Sequence, residues 1–132
     1  MPHIVIECSA NLRARADLPS LVTRVHAAAL ETGVFPLGGL RTRVAERELY
    51  AIADRDPDNA FVHVVVRIGA GRDPATKRRA AEAIFAAVCE ALAGPFDASP
   101  LALSLELQEI DPDFSLKQNN LHHYVTSRKA AV

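Results

Sequence analysis

Pro2 stands directly behind the initiator methionine and ahead of His3-Ile4-Val5-Ile6-Glu7-Cys8, an alternating stretch that reads as a β-strand. A residue without a backbone N–H fits a strand's first position, so this proline is either packing convenience or chemistry. Any anion binding must come from individually placed arginines, because a guanidinium grips a carboxylate in a planar, bidentate fork. Read by themselves, Arg41 is a surface residue of an alternating strand and Arg72 a solvated loop residue. Glu7 and Glu106 are candidate carboxylates, but nothing in the sequence fixes either near Pro2. The run Gly69-Ala70-Gly71-Arg72 invites a phosphate-loop reading, yet it lacks the GK[ST] ending and the third glycine of a dinucleotide fingerprint.

The remaining ligand-type residues do not form a metal site. His63 lies mid-strand among valines and reads as an interface histidine. His122 and His123 are adjacent, so in an extended segment they point to opposite sides and cannot grip one ion. His3 points the other way along its strand from Pro2. Cys8 and Cys89 show no CxxC spacing and read as small core residues. No metal and no cofactor are expected.

Composition narrows the field further. A chain of 132 residues fits one domain, and 15 Lys plus Arg against 16 Asp plus Glu leave no broad positive field, which excludes nucleic acid and membrane surfaces as expected partners. No apolar run approaches bilayer length, and the beginning lacks the pattern of a secretion signal, so a cytoplasmic protein is the default expectation. Aromatic residues make up only 5% and tryptophan is absent, which disfavours a stacking platform for bases or sugars.

These residues must be positioned by elements that the periodicity lays out. After the first strand, Asp17 caps a helix with Pro19 in its first turn, apolar residues recur at Leu18, Leu21, Val22, Val25, Ala28 and Ala29, and Gly33 stops it. A second strand covers Leu40 to Ala45 and runs on irregularly toward Ile52, before the polar turn Asp54 to Asn59. The order then begins again. Phe61 to Ile68 is the clearest strand; Asp73 and Pro74 start a helix with a stripe of Ala81, Ile84, Phe85, Val88 and Leu92 that stops at Gly94-Pro95; Leu101 to Gln108 is a half-buried strand.

The fold class is therefore α+β: a duplicated β-α-β, with a four-stranded mixed sheet and two helices on one face. The chain is a single domain over 1–132, with pseudo-repeats about 2–52 and 60–110 and an irregular C-terminal extension, 111–132. The second sheet face carries Phe61, His63, Val65 and Arg67 from one strand and Ala102, Ser104, Glu106 and Gln108 from another. Such a mixed surface is too apolar for open water and too polar for a monomer core, and oligomerisation is expected to cover it.

The stretches PHIVIECS, TGVFPLGGLRTR, AFVHVVVRIGAGR and LKQNNLHH, together with the duplicated layout, resemble the tautomerase superfamily and, within it, the 5-carboxymethyl-2-hydroxymuconate isomerase branch. The resemblance runs over almost the whole chain. It implies a homotrimer whose open sheet faces build a central barrel, and proton transfer by the amino group of Pro2 once Met1 is removed. It makes Arg41 and Arg72 catalytic and substrate-binding residues, with no metal. The implied reaction interconverts a 2-hydroxymuconate dienol and its 2-oxo-3-ene isomer, a polycarboxylate step in bacterial breakdown of homoprotocatechuate. A sister tautomerase acting on another enol or oxo acid and a non-catalytic trimeric binding module are the alternatives. The stretch LKQNNLHH reads as an edge strand or a contact to a neighbouring subunit, and Tyr124 to Val132 has no assigned role.

Overall fold

The structure, a computed structural model, describes residues 1–130. Four strands, β1 (His3–Ser9), β2 (Arg41–Arg47), β3 (Ala60–Gly69) and β4 (Leu101–Ile110), form one sheet in the order β2-β1-β3-β4. β1 pairs in parallel with β2, β3 pairs in parallel with β4, and the two central strands β1 and β3 are antiparallel. Each parallel pair is joined by a helix, α1 (Leu18–Glu31) or α2 (Pro74–Ala91), and both helices cover the same sheet face.

Alternation explains that face. Ile4, Ile6 and Cys8 of β1 and Val62, Val64, Val66 and Ile68 of β3 are fully buried, against Leu21 and Val25 of α1 and Ile84 and Val88 of α2. The helix starts are local chemistry. The Asp17 carboxylate accepts from the Ser20 N–H at 3.0 Å and Asp73 from the Thr76 N–H at 2.7 Å, each with a proline in the first turn. Past the end of α1, Gly33 adopts φ 72°, a left-handed turn that glycine enters without penalty. Burial pushes the Cys8 thiol up to about 11, so it remains protonated core.

Four expectations need correction. β2 ends at Arg47, short of Ile52, because the chain turns there toward Ala53 and Arg55, both at positive φ. α2 ends at Ala91, and Gly94-Pro95 lie inside a short helix α3 (Ala93–Ala98); Pro95 sits in its first turn, where a missing N–H costs nothing. Ala80, not Ala81, is buried on α2, while Ala81 and Phe85 lean out to a cleft shared with Leu105. The extension is not irregular. Pro112–Phe114 is a 3-10 turn and Leu121–Ala130 is a helix, α4, so His122 and His123 are helical neighbours and LKQNNLHH adds no edge strand. Asn119 begins this helix by accepting from the Leu121 N–H at 2.8 Å, and Arg128 and Lys129 suit its negative end. The last two residues of the expected extension lie outside the described residues. No helix among the described residues is long and apolar enough to cross a membrane.

The register sets Phe61, His63, Val65 and Arg67 opposite Ala102, Ser104, Glu106 and Gln108 on the uncovered face. There His63 bonds Ser104 Oγ at 2.7 Å and Glu106 at 3.3 Å, and Arg47 donates to Glu7 at 2.8 Å.

Candidate active site

Topology brings distant segments to one end of the sheet. β1 and β2 are parallel, so they start at the same end (His3 opposite Arg41). β3 is antiparallel to β1 and therefore finishes there (His3 opposite Arg67), and β4, parallel to β3, finishes there too (Gly69 opposite Ile110). Pro2, Arg41, the Gly69 to Arg72 turn and the chain beyond Ile110 thus converge, although they are far apart in sequence. Between them is a cleft of about 240 Å³ lined by Met1, Gly69, Ala70, Ile110, Pro112, Ser115 and Lys117.

Pro2 is buried, and its carbonyl accepts from the Arg41 N–H at 3.1 Å. The proline ring packs against Gly39, where an added Cβ would come within 3.4 Å of Pro2 Cδ and 3.1 Å of Pro36 Cγ. Met1 is present, so the Pro2 nitrogen is an amide and the free amine belongs to Met1. That amine has its pKa lowered from 8.0, first by burial and then by the positive charges of Lys117, Arg41 and Arg72, with a hydrogen bond to Lys117 adding to the effect. It stands one residue from the proline nitrogen.

Neither arginine is the solvated surface group that its type alone suggests. Arg41 is half-buried and donates through Nη1 to the Gly39 carbonyl at 2.8 Å. Arg72, also half-buried, donates to the Gly69 carbonyl at 3.2 Å and the Val34 carbonyl at 3.1 Å, with its guanidinium 5.7 Å from the Phe35 ring centroid. Backbone carbonyls orient these side chains without cancelling their charge. Among the described residues Arg41, Arg72 and Lys117 form no ion pair with a carboxylate, whereas Arg13, Arg15, Arg47 and Lys77 each do. A cluster of oriented, unpaired cations around an amine of lowered basicity is suited to an anionic molecule that must lose or gain a proton.

The other candidates lie elsewhere. Glu7 and Glu106 are on the uncovered face, paired with Arg47 and His63. His3 faces that side too, with Arg43 Nη1 3.1 Å from its Nδ1. Lys117 was missed by sequence reasoning as a site residue; it sits in the LKQNN stretch, but no spacing ties it to the amine. What places it is the tail's anchorage. Asn119 Nδ2 donates to the Gly38 carbonyl at 3.3 Å, and His122 packs so closely on Gly38 that an added Cβ would lie 2.5 Å from its Nδ1 and 3.0 Å from its Cα.

Gly38→Ala therefore has to displace α4 as well as a ring. The expected cost is about 1–3 kcal/mol of local stability, read as faster amide exchange across Leu121 to Ala130. Unchanged exchange in α4 would show that the tail does not depend on this contact.

The chain matches the family model described as 5-carboxymethyl-2-hydroxymuconate isomerase over residues 2–125. It is 41% identical over 122 residues to the 5-carboxymethyl-2-hydroxymuconate Delta-isomerase of Escherichia coli, spanning 92% of this chain and 97% of that protein. A crystal structure of a 5-carboxymethyl-2-hydroxymuconate isomerase from Deinococcus radiodurans R1 superposes with a TM-score of 0.87 at 34% identity, covering 94% of this chain and 93% of the other. A second structure, of a 5-carboxymethyl-2-hydroxymuconate delta-isomerase, superposes with a TM-score of 0.88 at 30% identity, over 95% of this chain and 93% of that one. With this likeness spanning nearly its whole length, the chain belongs to the 5-carboxymethyl-2-hydroxymuconate isomerase family and is an isomerase.

Proposed function

We propose that this isomerase acts without a cofactor on 5-carboxymethyl-2-hydroxymuconate, converting the dienol to its 2-oxo-3-ene isomer in the breakdown of homoprotocatechuate, as a cytoplasmic homotrimer. The observation that carries the reading is the head of the chain at a cleft that Met1 and Lys117 line, where the Met1 amine feels Lys117, Arg41 and Arg72, three cations without a carboxylate partner among the described residues. Removal of Met1 turns the Pro2 nitrogen into a secondary amine and vacates the part of the cleft that Met1 lines. That amine takes the proton from the C2 hydroxyl. As the C2–O bond becomes a carbonyl, the double bonds move by one position and the same proton returns at C5, so no other reactant is consumed.

The substrate is a polyanion, and the arginines divide its charge: one holds a carboxylate and the other stabilises the C2 oxygen as the dienolate forms. Burial and the cations Lys117, Arg41 and Arg72 favour the neutral form of the Met1 amine, and a neutral amine at the same end of the chain is the form that acts as a base. Support for assembly comes from the uncovered sheet face and from Leu49, Phe114 and Leu116, which are 97%, 86% and 97% exposed in the single chain.

The test follows the ultraviolet absorbance of 5-carboxymethyl-2-hydroxymuconate with protein shown by intact mass to lack Met1. Turnover well above the solvent rate is expected, with kcat/KM falling on the acid side as the Pro2 amine takes up a proton, since protonating the amine removes the base. Conversion at the solvent rate would overturn the proposal.

A further inference from the structure

The tail beyond β4 brings a cation to the cleft. Pro112, Ser115 and Lys117 line the cleft, and in the extended run Ser115 and Lys117 share one side of the chain while Leu116 between them is 97% exposed. The run pairs with no strand, yet it is not loose, because the Asn119 bond to the Gly38 carbonyl and the seat of His122 on Gly38 fasten it to the turn that leads into β2. Arg41 and Arg72 are oriented by carbonyls of the globular body; Lys117 is exposed at the mouth and has no carboxylate partner among the described residues.

The reaction proposed above adds a further constraint, and the inference rests on that reading. Shifting a 2,4-dienol to a 2-oxo-3-ene places the returning proton on C5, the carbon that bears the carboxymethyl branch. The amine must therefore sit against C5, and the cation beside the amine is within reach of the branch. Lys117 is that cation, for it lines the cleft together with Met1, the residue directly ahead of Pro2. We infer that Lys117 is a specificity residue whose ammonium binds the carboxylate of the C5 carboxymethyl branch, so that the tail selects a branched tricarboxylate over an unbranched dicarboxylate.

The experiment compares kcat/KM for 5-carboxymethyl-2-hydroxymuconate and for unbranched 2-hydroxymuconate, in the Met1-free protein and in Lys117→Met and Lys117→Arg. The ratio of the two values is the readout. A general effect of Lys117 on folding or on the amine's basicity acts on both substrates and cancels in the ratio. In Lys117→Met the preference for the branched substrate is expected to fall about 10- to 100-fold, the loss of one charge-assisted hydrogen bond, and Lys117→Arg is expected to recover most of it. A ratio within threefold of the parent in Lys117→Met would overturn the assignment.

If the parent protein converts neither substrate, the isomerase reading falls, and the assignment is judged by binding. Calorimetric titration with propane-1,2,3-tricarboxylate and with glutarate then applies. A selective loss of tricarboxylate affinity of about tenfold or more in Lys117→Met upholds the anion site. Equal affinities in both proteins reject it.

Discussion

Protein that keeps one residue ahead of Pro2 is expected to turn over about 10²–10⁴-fold more slowly than protein that begins at Pro2, the usual contribution of a positioned acid/base group. The reason is the state of one nitrogen. Inside a peptide bond it has no basicity and no proton to give; at the chain's head it is a secondary amine with its ring packed against Gly39 and its carbonyl fixed by the Arg41 N–H. Pro2→Ala in the Met1-free chain keeps that carbonyl bond and leaves a primary amine that lacks the ring's fixed orientation. Its kcat is expected to fall by roughly 10²-fold or more, with a smaller change in KM. Stopped-flow or steady-state absorbance on mass-verified samples checks both, and equal rates with and without the extra residue would remove Pro2 from the chemistry.

The second large effect is expected at Arg72. Arg72→Ala removes a guanidinium that donates to the Gly69 and Val34 carbonyls and lies over Phe35. Two carbonyls lose their donor and the cleft loses a cation, so kcat/KM is expected to fall about 10²–10³-fold, on the scale of an oxyanion donor. Arg72→Lys keeps the charge but cannot bridge the two carbonyls and present a fork to an anion at once, and little of the loss is recovered. The way the loss divides assigns the residue. A fall in kcat at constant KM marks the arginine that stabilises the dienolate oxygen, and a rise in KM at constant kcat marks the one that anchors a carboxylate. A kcat/KM within threefold of the parent would place Arg72 outside the site.

How much of this was legible follows from what leaves a mark on neighbouring letters. The alternation at His3 to Cys8 and Phe61 to Ile68, the Asp17 and Asp73 caps and the Gly33 stop are local, and they foretold β1, β3, α1 and α2 to within a residue or two at most ends. The uncovered-face residues of β3 and β4 could be listed in advance because strand period alone assigns them. α4 could not be seen, for it buries none of its residues and carries no apolar stripe to betray a helical period. The same absence hid Lys117, whose position depends on Asn119 and His122 gripping Gly38, roughly eighty residues earlier in the chain.

Sequence by itself determined the elements, the one-sided core and, through long shared stretches, the family, because periodicity, caps and word-length likeness are properties of the chain as a string. Only the tertiary structure decided that Pro2, Arg41, the Gly69 to Arg72 turn and the tail carrying Lys117 meet at one end of the sheet. The antiparallel centre of the sheet turns two strand starts and two strand ends toward one edge, and backbone carbonyls there hold two guanidiniums without neutralising them. An uncancelled charge is defined by which partners are absent in space, and no arrangement of letters along the chain records that.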